Sequence, residues 1–528
     1  MHRSDGSDAD QKRTAVAETE ARSHDDRAAA ETAAAVGDSA GLGRDADVAA
    51  RFLASLDPSI VAEPITKAEA RRLLWKIDLI VLPLLALSVI ISAVDKVIIS
   101  NAAIYGMRDD AHLVGDQFSW VGSIFYFGFL IAEWPGNVLI QRLPLRSFYA
   151  ATVLVWAGLT FATGGTNDFA SLATVRFLMG IFEAVVFPVC TLVSAMWWTI
   201  EEQPLRIAIW YNTLSSVVTG LFSYGVGHTH SSVAPWRLLF YILGGVTTVW
   251  AAVLYAFLPS SPVEAWWLTD RQKYVCLERV RKSNTGIEDK KIKWYQVKEC
   301  LLEPRAWLIS IFACAINIPN GGLVTFAAII VNGMGFSPLD TTLLGMPTGA
   351  IATAWSIILN FIASRFPGWR CVLIAVAIFF PMATAILMWK LPSDNKLSLL
   401  GAYYAFYSYW APYTMCTSLP MANTSGHTKK VTLNAMFFLG YCVGNILGPQ
   451  VFREDDAPEY HKGYIGLLIS LIVGAVSIAA YGLTCYWDNA KRDRLQGGAP
   501  VPQTEEEKTR EAFSDMTDRE KPNFRYTY

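Results

Sequence analysis

Five ionisable side chains stand inside otherwise apolar runs, which limits what they can be for. Asp95 and Lys96 sit in ISAVDKVIIS, Glu133 in FLIAEWPGN, and Arg176 and Glu183 flank Gly180 in RFLMGIFEAVVFP. A charge in a bilayer-length run costs about 2.5–3.5 kcal/mol or more, so such a group pairs, binds an opposite charge or moves a proton. Arg176, Gly180 and Glu183 fall on one helix face at i, i+4 and i+7, with the glycine allowing a neighbouring helix to approach. Two readings stay open. In one, Arg176 attracts an anion or pairs with Asp95, and Glu183 or Asp95 changes protonation; in the other, Asp95, Lys96 and Arg176 form a buried ion pair that only fixes packing. Glu133, close to Pro135 and Arg142, either carries a proton or braces the end of its helix.

A second group carries amides and rings. The run AWLISIFACAINIPNGGLVTFAAIIV, residues 306–331, holds Asn317, Pro319, Asn320, Gly321 and Gly322 at its midpoint. That composition predicts a broken helix, tolerated in a membrane only where the freed backbone faces protein or a wet cavity. Broken helices of this kind line midplane binding sites in carriers built from repeats. Asn317, Asn320 and Gly321 are therefore expected to offer donors to a substrate, helped by a positive half-helix end. Tyr403, Tyr407, Trp410 and Thr414 share one face at i, i+4, i+7 and i+11. Tyr403, Tyr407 and Trp410 either extend the binding surface or serve as packing and interfacial anchors.

The elements that must position these groups are membrane helices. The 528 residues are 53% hydrophobic and 17% charged, well below the ~25% charge of a soluble domain. Twelve apolar windows of bilayer length follow, near residues 77–99, 117–140, 147–165, 169–192, 206–227, 236–258, 306–331, 341–364, 371–391, 397–421, 431–451 and 463–487. Arg71, Arg72, Lys76, Arg142, Arg146, Arg206, Arg365, Arg370, Lys429 and Lys430 fall on one side of them; Asp109, Asp110, Asp116, Glu454, Asp455 and Asp456 fall on the other. The basic side is the one retained in the cytosol, which predicts both termini there. Residues 1–70 alternate alanine with charge and are expected to be a disordered tail without a cleavable signal. Residues 71–258 form one six-helix half, 259–305 a charged cytosolic linker, 306–490 the second half and 491–528 a cytosolic tail. A net charge of -2 gives no ground for nucleic-acid binding. The eight cysteines are scattered without ligand spacing, and His228 and His230 stand apart from other ligand types, so neither metal nor cofactor is expected. No GxxxxGK[ST] motif points to an ATP-driven pump, and no catalytic grouping points to an enzyme.

The sequence also repeats. Asn137 to Arg146 reads NVLIQRLPLR after the second window, and Asn360 to Trp369 reads NFIASRFPGW after the eighth, the same topological place in each half. Parallel six-helix halves are the mark of the major facilitator fold. The two octamers resemble its loop pattern G-x-L-a-D-r-x-G-r, with Asn137 and Asn360 at the first glycine and Arg142 and Arg365 at the basic position, while Gln141 and Ser364 replace the aspartate. The segments from Ala93 to Met107, Gln117 to Leu145, Arg176 to Val189, Asn317 to Gly322, Gly440 to Phe452 and Asp456 to Tyr464, with the ending FSDMTDREKPNFRY, resemble the fungal allantoate-permease family of anion:cation symporters. The resemblance implies an all-α membrane protein of twelve spans whose first, fourth, seventh and tenth helices line a cavity. It also implies a monomeric carrier of a small organic anion, coupled to protons, at the plasma membrane. An exporter of an acidic metabolite and a nutrient sensor on a carrier fold are the rival expectations.

Overall fold

The computed structural model describes residues 51–57, 60–61, 63–211, 215–283, 292–366, 368–392, 394–457, 459–497 and 515–528. Most of the expected N-terminal tail lies outside them. Among the described residues there is no strand, and ten helices are long and apolar enough to cross a membrane. The first span, Lys67–Ala102, runs on through a π turn at Ala103–Met107, where Gly106 takes φ 94°. Gln117–Arg142, Leu145–Gly164 and Pro235–Phe257 are the second, third and sixth spans, and the fourth is two helices in tandem, Phe169–Glu183 and Val186–Trp197. Pro304–Gly333 is the seventh, Pro338–Leu344 with Pro347–Arg365 the eighth, Arg370–Lys390 the ninth, His427–Gln450 the eleventh and His461–Leu495 the twelfth. Such apolar runs become helices because lipid offers their backbone no other partners. Asp168 and Ser337 cap helix starts through Ser171 N and Asp340 N, and prolines open the sixth, seventh and eighth spans, where a missing N–H costs nothing.

Beside the fourth and eighth, the fifth and tenth windows each hold more than one described helix. The fifth is built from Gln203–Trp210 and Ser215–Gly227, and the tenth from Lys396–Phe406, a 3-10 turn at Tyr407–Tyr409, Trp410–Cys416 and Leu419–Ala422. The expected continuous face of the tenth span is thus split: Thr414 Oγ1 accepts from Asn360 Nδ2 at 3.2 Å instead of joining the tyrosines.

The expected break in the seventh span is absent. Pro304–Gly333 is one uninterrupted 30-residue helix, with Asn317, Pro319, Gly321 and Gly322 all buried inside it. Its glycines serve close packing. A Cβ at Gly321 would strike the Asn445 backbone, and Gly440, Gly444 and Gly448 of the eleventh span would strike Ser310, Cys314 and Ile318 carbonyls in turn. Small residues every fourth position let two membrane helices meet backbone to backbone, so the motif expected to open the helix is half of a seam. Gly128 and Gly180 form the matching close approach between the second and fourth spans, each pressed on the other helix at Phe177 and Phe125.

At the basic end, Arg206 pairs with Asp78 at 2.7 Å while Trp198 Nε1 donates to the same carboxylate at 2.8 Å, tying the first, fourth and fifth spans. The chain's last residues also pack there. Asp518, fully buried, accepts from Lys429 Nζ at 2.7 Å, and Lys429 also meets Glu299 at 2.8 Å and Glu303 at 2.7 Å. Tyr526 lays its ring 3.6 Å from the Arg305 guanidinium, and Asn423 holds the Thr527 carbonyl at 2.7 Å. Burial alone would push the Asp518 carboxyl up, but Lys429, Tyr526 and Arg305 hold it below the ordinary carboxylate range. The expected tail is therefore fastened to the C-terminal half at residues 515–528. Residues 51–74 and 259–281 belong to a separate compact unit, inside which Arg271 gathers the Glu69 carboxylate at 2.9 Å and the Glu63 carbonyl at 3.1 Å.

Candidate functional site

Between the two halves lies a cavity of about 240 Å³. Its walls differ by half. The first span contributes a polar stripe, Ser92, Lys96 and Ser100, spaced four residues apart so that all three face inward. Lys96 Nζ lies 3.0 Å from Glu183 Oε1, which also accepts from Ser92 Oγ at 2.5 Å. The rings of Phe125, Phe129 and Phe187 surround the ammonium at 5.7, 5.1 and 5.4 Å from their centroids, the geometry of cation–π attraction. Glu183 is 0% exposed, so its second oxygen, which has no hydrogen-bond partner, sits behind the cavity wall.

Asp95, one residue from Lys96, points about 100° away on the helix. Its carboxylate accepts from Trp156 Nε1 at 3.1 Å and Thr160 Oγ1 at 3.5 Å, both on the third span. The expected direct pair between Asp95 and Arg176 is not formed: Arg176 is 2% exposed, lies over the Phe125 ring at 5.1 Å, and leaves Nε and Nη1 without a partner. The ion pair is carried by Lys96 and Glu183 instead, because Lys96 faces the fourth span where Asp95 faces the third. Glu133 lies outside the cavity lining, with Oε1 accepting from Asn137 Nδ2 at 3.3 Å and Oε2 buried without a partner.

The C-terminal wall has no charge. Asn320, Tyr403, Tyr407, Tyr409, Trp410 and Tyr441 line it. Asn320 is locked from both sides, its Nδ2 donating to Asn445 Oδ1 at 2.8 Å and its Oδ1 accepting from Tyr409 OH at 3.2 Å. Tyr403 and Tyr407 hydroxyls share a bond at 3.1 Å. Asn317 and Gly321 do not line the cavity; Asn317 is 0% exposed and its Nδ2 returns to the Ala313 carbonyl of its own helix at 2.7 Å.

The halves touch toward the acidic end. Ser100 Oγ accepts from Ala328 N at 2.8 Å, Ser119 Oγ donates to the Phe452 carbonyl at 3.0 Å, Ser123 Oγ to the Ile446 carbonyl at 2.7 Å, and Arg108 pairs with Glu454 at 2.7 Å. A cavity between two equivalent helical bundles is the arrangement by which alternating-access carriers work. The profile of the Major Facilitator Superfamily matches residues 85–449.

The chain belongs to the major facilitator superfamily. The "MFS-type transporter cnsL" of Penicillium expansum is 36% identical, over 92% of this chain and 94% of that protein. The allantoate permease of Saccharomyces cerevisiae is 33% identical over 88% of this chain and 87% of that one, which puts this facilitator in the allantoate-permease family. In fold it is similar to a bacterial homolog of the human lysosomal transporter Spinster, in an inward-facing and unoccupied conformation (TM-score 0.58, 16% identity, 79% of this chain and 97% of that one). The D-xylose-proton symporter is a further likeness, with TM-score 0.56 and 12% identity over 76% of this chain and 96% of that one. The protein is therefore a multi-pass membrane transporter of small molecules.

In this facilitator the repeated octamers place matching amides. Asn137 Nδ2 donates to the Glu133 carbonyl and Asn360 Nδ2 to the Ser356 carbonyl, each at 2.8 Å, while Arg142 and Arg365 are exposed at the basic end. Ser92, Tyr126, Tyr409, Tyr441 and Asn445 were not singled out by sequence. Ser92 was legible, standing four residues before Lys96 in the same apolar run; the tyrosines carry no spacing that separates cavity from core.

Proposed function

We propose that the protein moves a small organic anion, a ureide or other carboxylate, together with protons, by alternating access. One observation carries this: the cation lining the cavity is Lys96, and it is held by a buried carboxylate, Glu183, at 3.0 Å. The N-terminal cluster contains two carboxylates, Asp95 and Glu183, and two cations, Lys96 and Arg176, all buried. Its charges cancel. A substrate anion arriving at Lys96 leaves one negative charge too many in a low-dielectric site, and an uncompensated buried charge costs several kcal/mol. A proton on Glu183 removes the excess and frees the ammonium to hold the substrate. The uncharged wall of Tyr403, Tyr407, Tyr409, Trp410 and Asn320 then supplies hydroxyl groups and rings for the neutral part of the molecule.

Arg176, Asp95 and Glu133 have supporting parts in this scheme. Arg176 sets the positive potential behind the cavity, Asp95 fixes the first span against Trp156, and Glu133 braces the basic end of the second span through Asn137. The relative named allantoate permease supports an anionic substrate. The arginine-rich ends support cytosolic termini, and the family supports a monomer at the plasma membrane. The conformation is the one closed on the acidic, external side. Competition of small carboxylates against labelled uptake in proteoliposomes identifies the substrate. A pH gradient imposed with Glu183→Gln then tests coupling: exchange of labelled substrate is expected to persist while gradient-driven accumulation is lost, and full accumulation would remove Glu183 from the proton path.

A further inference from the structure

The segment Asp456 to Tyr464 marks the family resemblance but takes no part in the cavity. It builds the far side of the acidic end. Asp456 Oδ2 accepts from Lys462 N at 2.5 Å and Gly463 N at 3.4 Å, satisfying orphan donors at the start of the twelfth span. That turn holds Tyr460 at φ 51°, left-handed backbone that a tyrosine rarely adopts. Strain of this kind persists only where the surroundings impose it. Here its effect is to drive the Tyr460 ring inward, 2% exposed, against Phe326 at 5.7 Å and Phe452 at 5.8 Å. Phe326 stacks on Phe452 at 5.1 Å and meets Phe118 edge-on at 5.3 Å. Phe118 belongs to the N-terminal half and the other three rings to the C-terminal half, so the seam between halves runs through the cluster. Arg108 caps it, its guanidinium 5.6 Å from the Phe118 centroid and 2.7 Å from Glu454.

We propose that Arg108, Glu454 and Tyr460 are positioning residues of the transport cycle: the aromatic cluster plugs the acidic end of the cavity, and the Arg108–Glu454 pair is the rim latch that must part for the cavity to open there. The division of labour follows from exposure. The rings are buried and supply most of the hold; the pair is 25% and 43% exposed, so water and salt keep it weak enough to break in every cycle. The Tyr460 turn keeps its ring on the C-terminal half when the halves separate. This inference rests on the alternating-access reading but not on substrate or proton coupling.

Site-directed labelling tests it without transport. Val331 lines the cavity and no cysteine does, so Val331→Cys in the full chain gives a reporter. An impermeant thiol reagent is applied to the acidic face of oriented membranes. Glu454→Arg is expected to speed labelling about fivefold, and adding Arg108→Glu to it, which restores opposite charges in exchanged places, to return the rate to that of the reporter alone. Tyr460→Gly, which relieves the backbone and removes the ring, is expected to speed labelling at least as much. Glu454 is exposed and Arg108 half-buried, so the rim substitutions keep the test intact if Tyr460→Gly does not fold. Unchanged labelling in Glu454→Arg, or failure of the exchanged pair to slow it, would overturn the latch. Absence of pH-driven uptake in the unsubstituted protein, with the labelling changes as expected, would instead strike only the proton reading above.

Discussion

The two walls of the cavity solve different problems. On the N-terminal side, four buried charges lie close together, and two of them, Glu183 and Arg176, keep polar atoms without partners. On the C-terminal side, the amide of Asn320 has both its ends engaged and the tyrosine hydroxyls bond one another. An arrangement with unspent hydrogen bonds can change state when a proton or an anion arrives; one with its bonds closed holds a shape. The difference matches the division of labour proposed above, with charge movement assigned to the first half of the chain and recognition of the neutral part of a substrate to the second.

Substitutions sharpen this contrast in order of expected size. Lys96→Met leaves Glu183 beside an apolar chain and is expected to abolish anion uptake and destabilise the protein by about 3–5 kcal/mol, while Lys96→Met with Glu183→Met restores thermal stability and not uptake. Uptake by the double variant would end the role of Lys96 in binding. Glu183→Gln is expected to lower gradient-driven accumulation by about 10–100-fold, with exchange retained. On the opposite wall, Asn445→Ala frees one side of Asn320 and is expected to raise KM about threefold to tenfold, with little change in maximal rate. A loss of proton coupling in that variant would erase the distinction between the walls.

The smallest effects concern regions away from the cavity. Pro319→Ala adds a backbone hydrogen bond to a helix that is already continuous, so uptake within about threefold of wild type and an unchanged or higher melting temperature are expected. A large loss of uptake would return the seventh span to the role of a hinge. Asp518→Asn is expected to cost about 1–3 kcal/mol of stability and to leave transport nearly unchanged, since Lys429 keeps Glu299 and Glu303. The Asp518 carboxyl titrates lower when docked than when free. Its contribution is therefore complete above the ordinary aspartate range near pH ~3.9 and fades as pH falls through the lower, docked value, which protease susceptibility of residues 515–528 at graded pH measures.

Much of the architecture was legible because lipid leaves a chain few options. Apolar length, the basic and acidic loop ends and the paired octamers at Asn137 and Asn360 carry the helical halves. The charged positions were legible for the same reason, since Asp95, Lys96, Arg176 and Glu183 have no place in a lipid-facing run. Their partners were not. Asp95 and Lys96 are neighbours in sequence, and the 100° between them decides which meets Trp156 and which meets the cavity. The Asn317 to Gly322 stretch was ambiguous in kind: proline and glycine break a helix in isolation, yet the same glycines let Asn445 and Gly448 of the eleventh span come to backbone contact. Only the distant partner separates the two outcomes. The docking of Asp518 and Tyr526 was hidden likewise, because each is satisfied by residues some 90 to 220 positions earlier in the chain.

The central proposal is that one proton on Glu183 accompanies each anion bound at Lys96, and proton flux measured on adding substrate to proteoliposomes tests it most directly. In wild type, a monoanionic carboxylate found by competition should draw protons inward with it, and Glu183→Gln should carry labelled substrate in exchange with no accompanying proton signal. Substrate-driven proton flux of equal size in both proteins would contradict it.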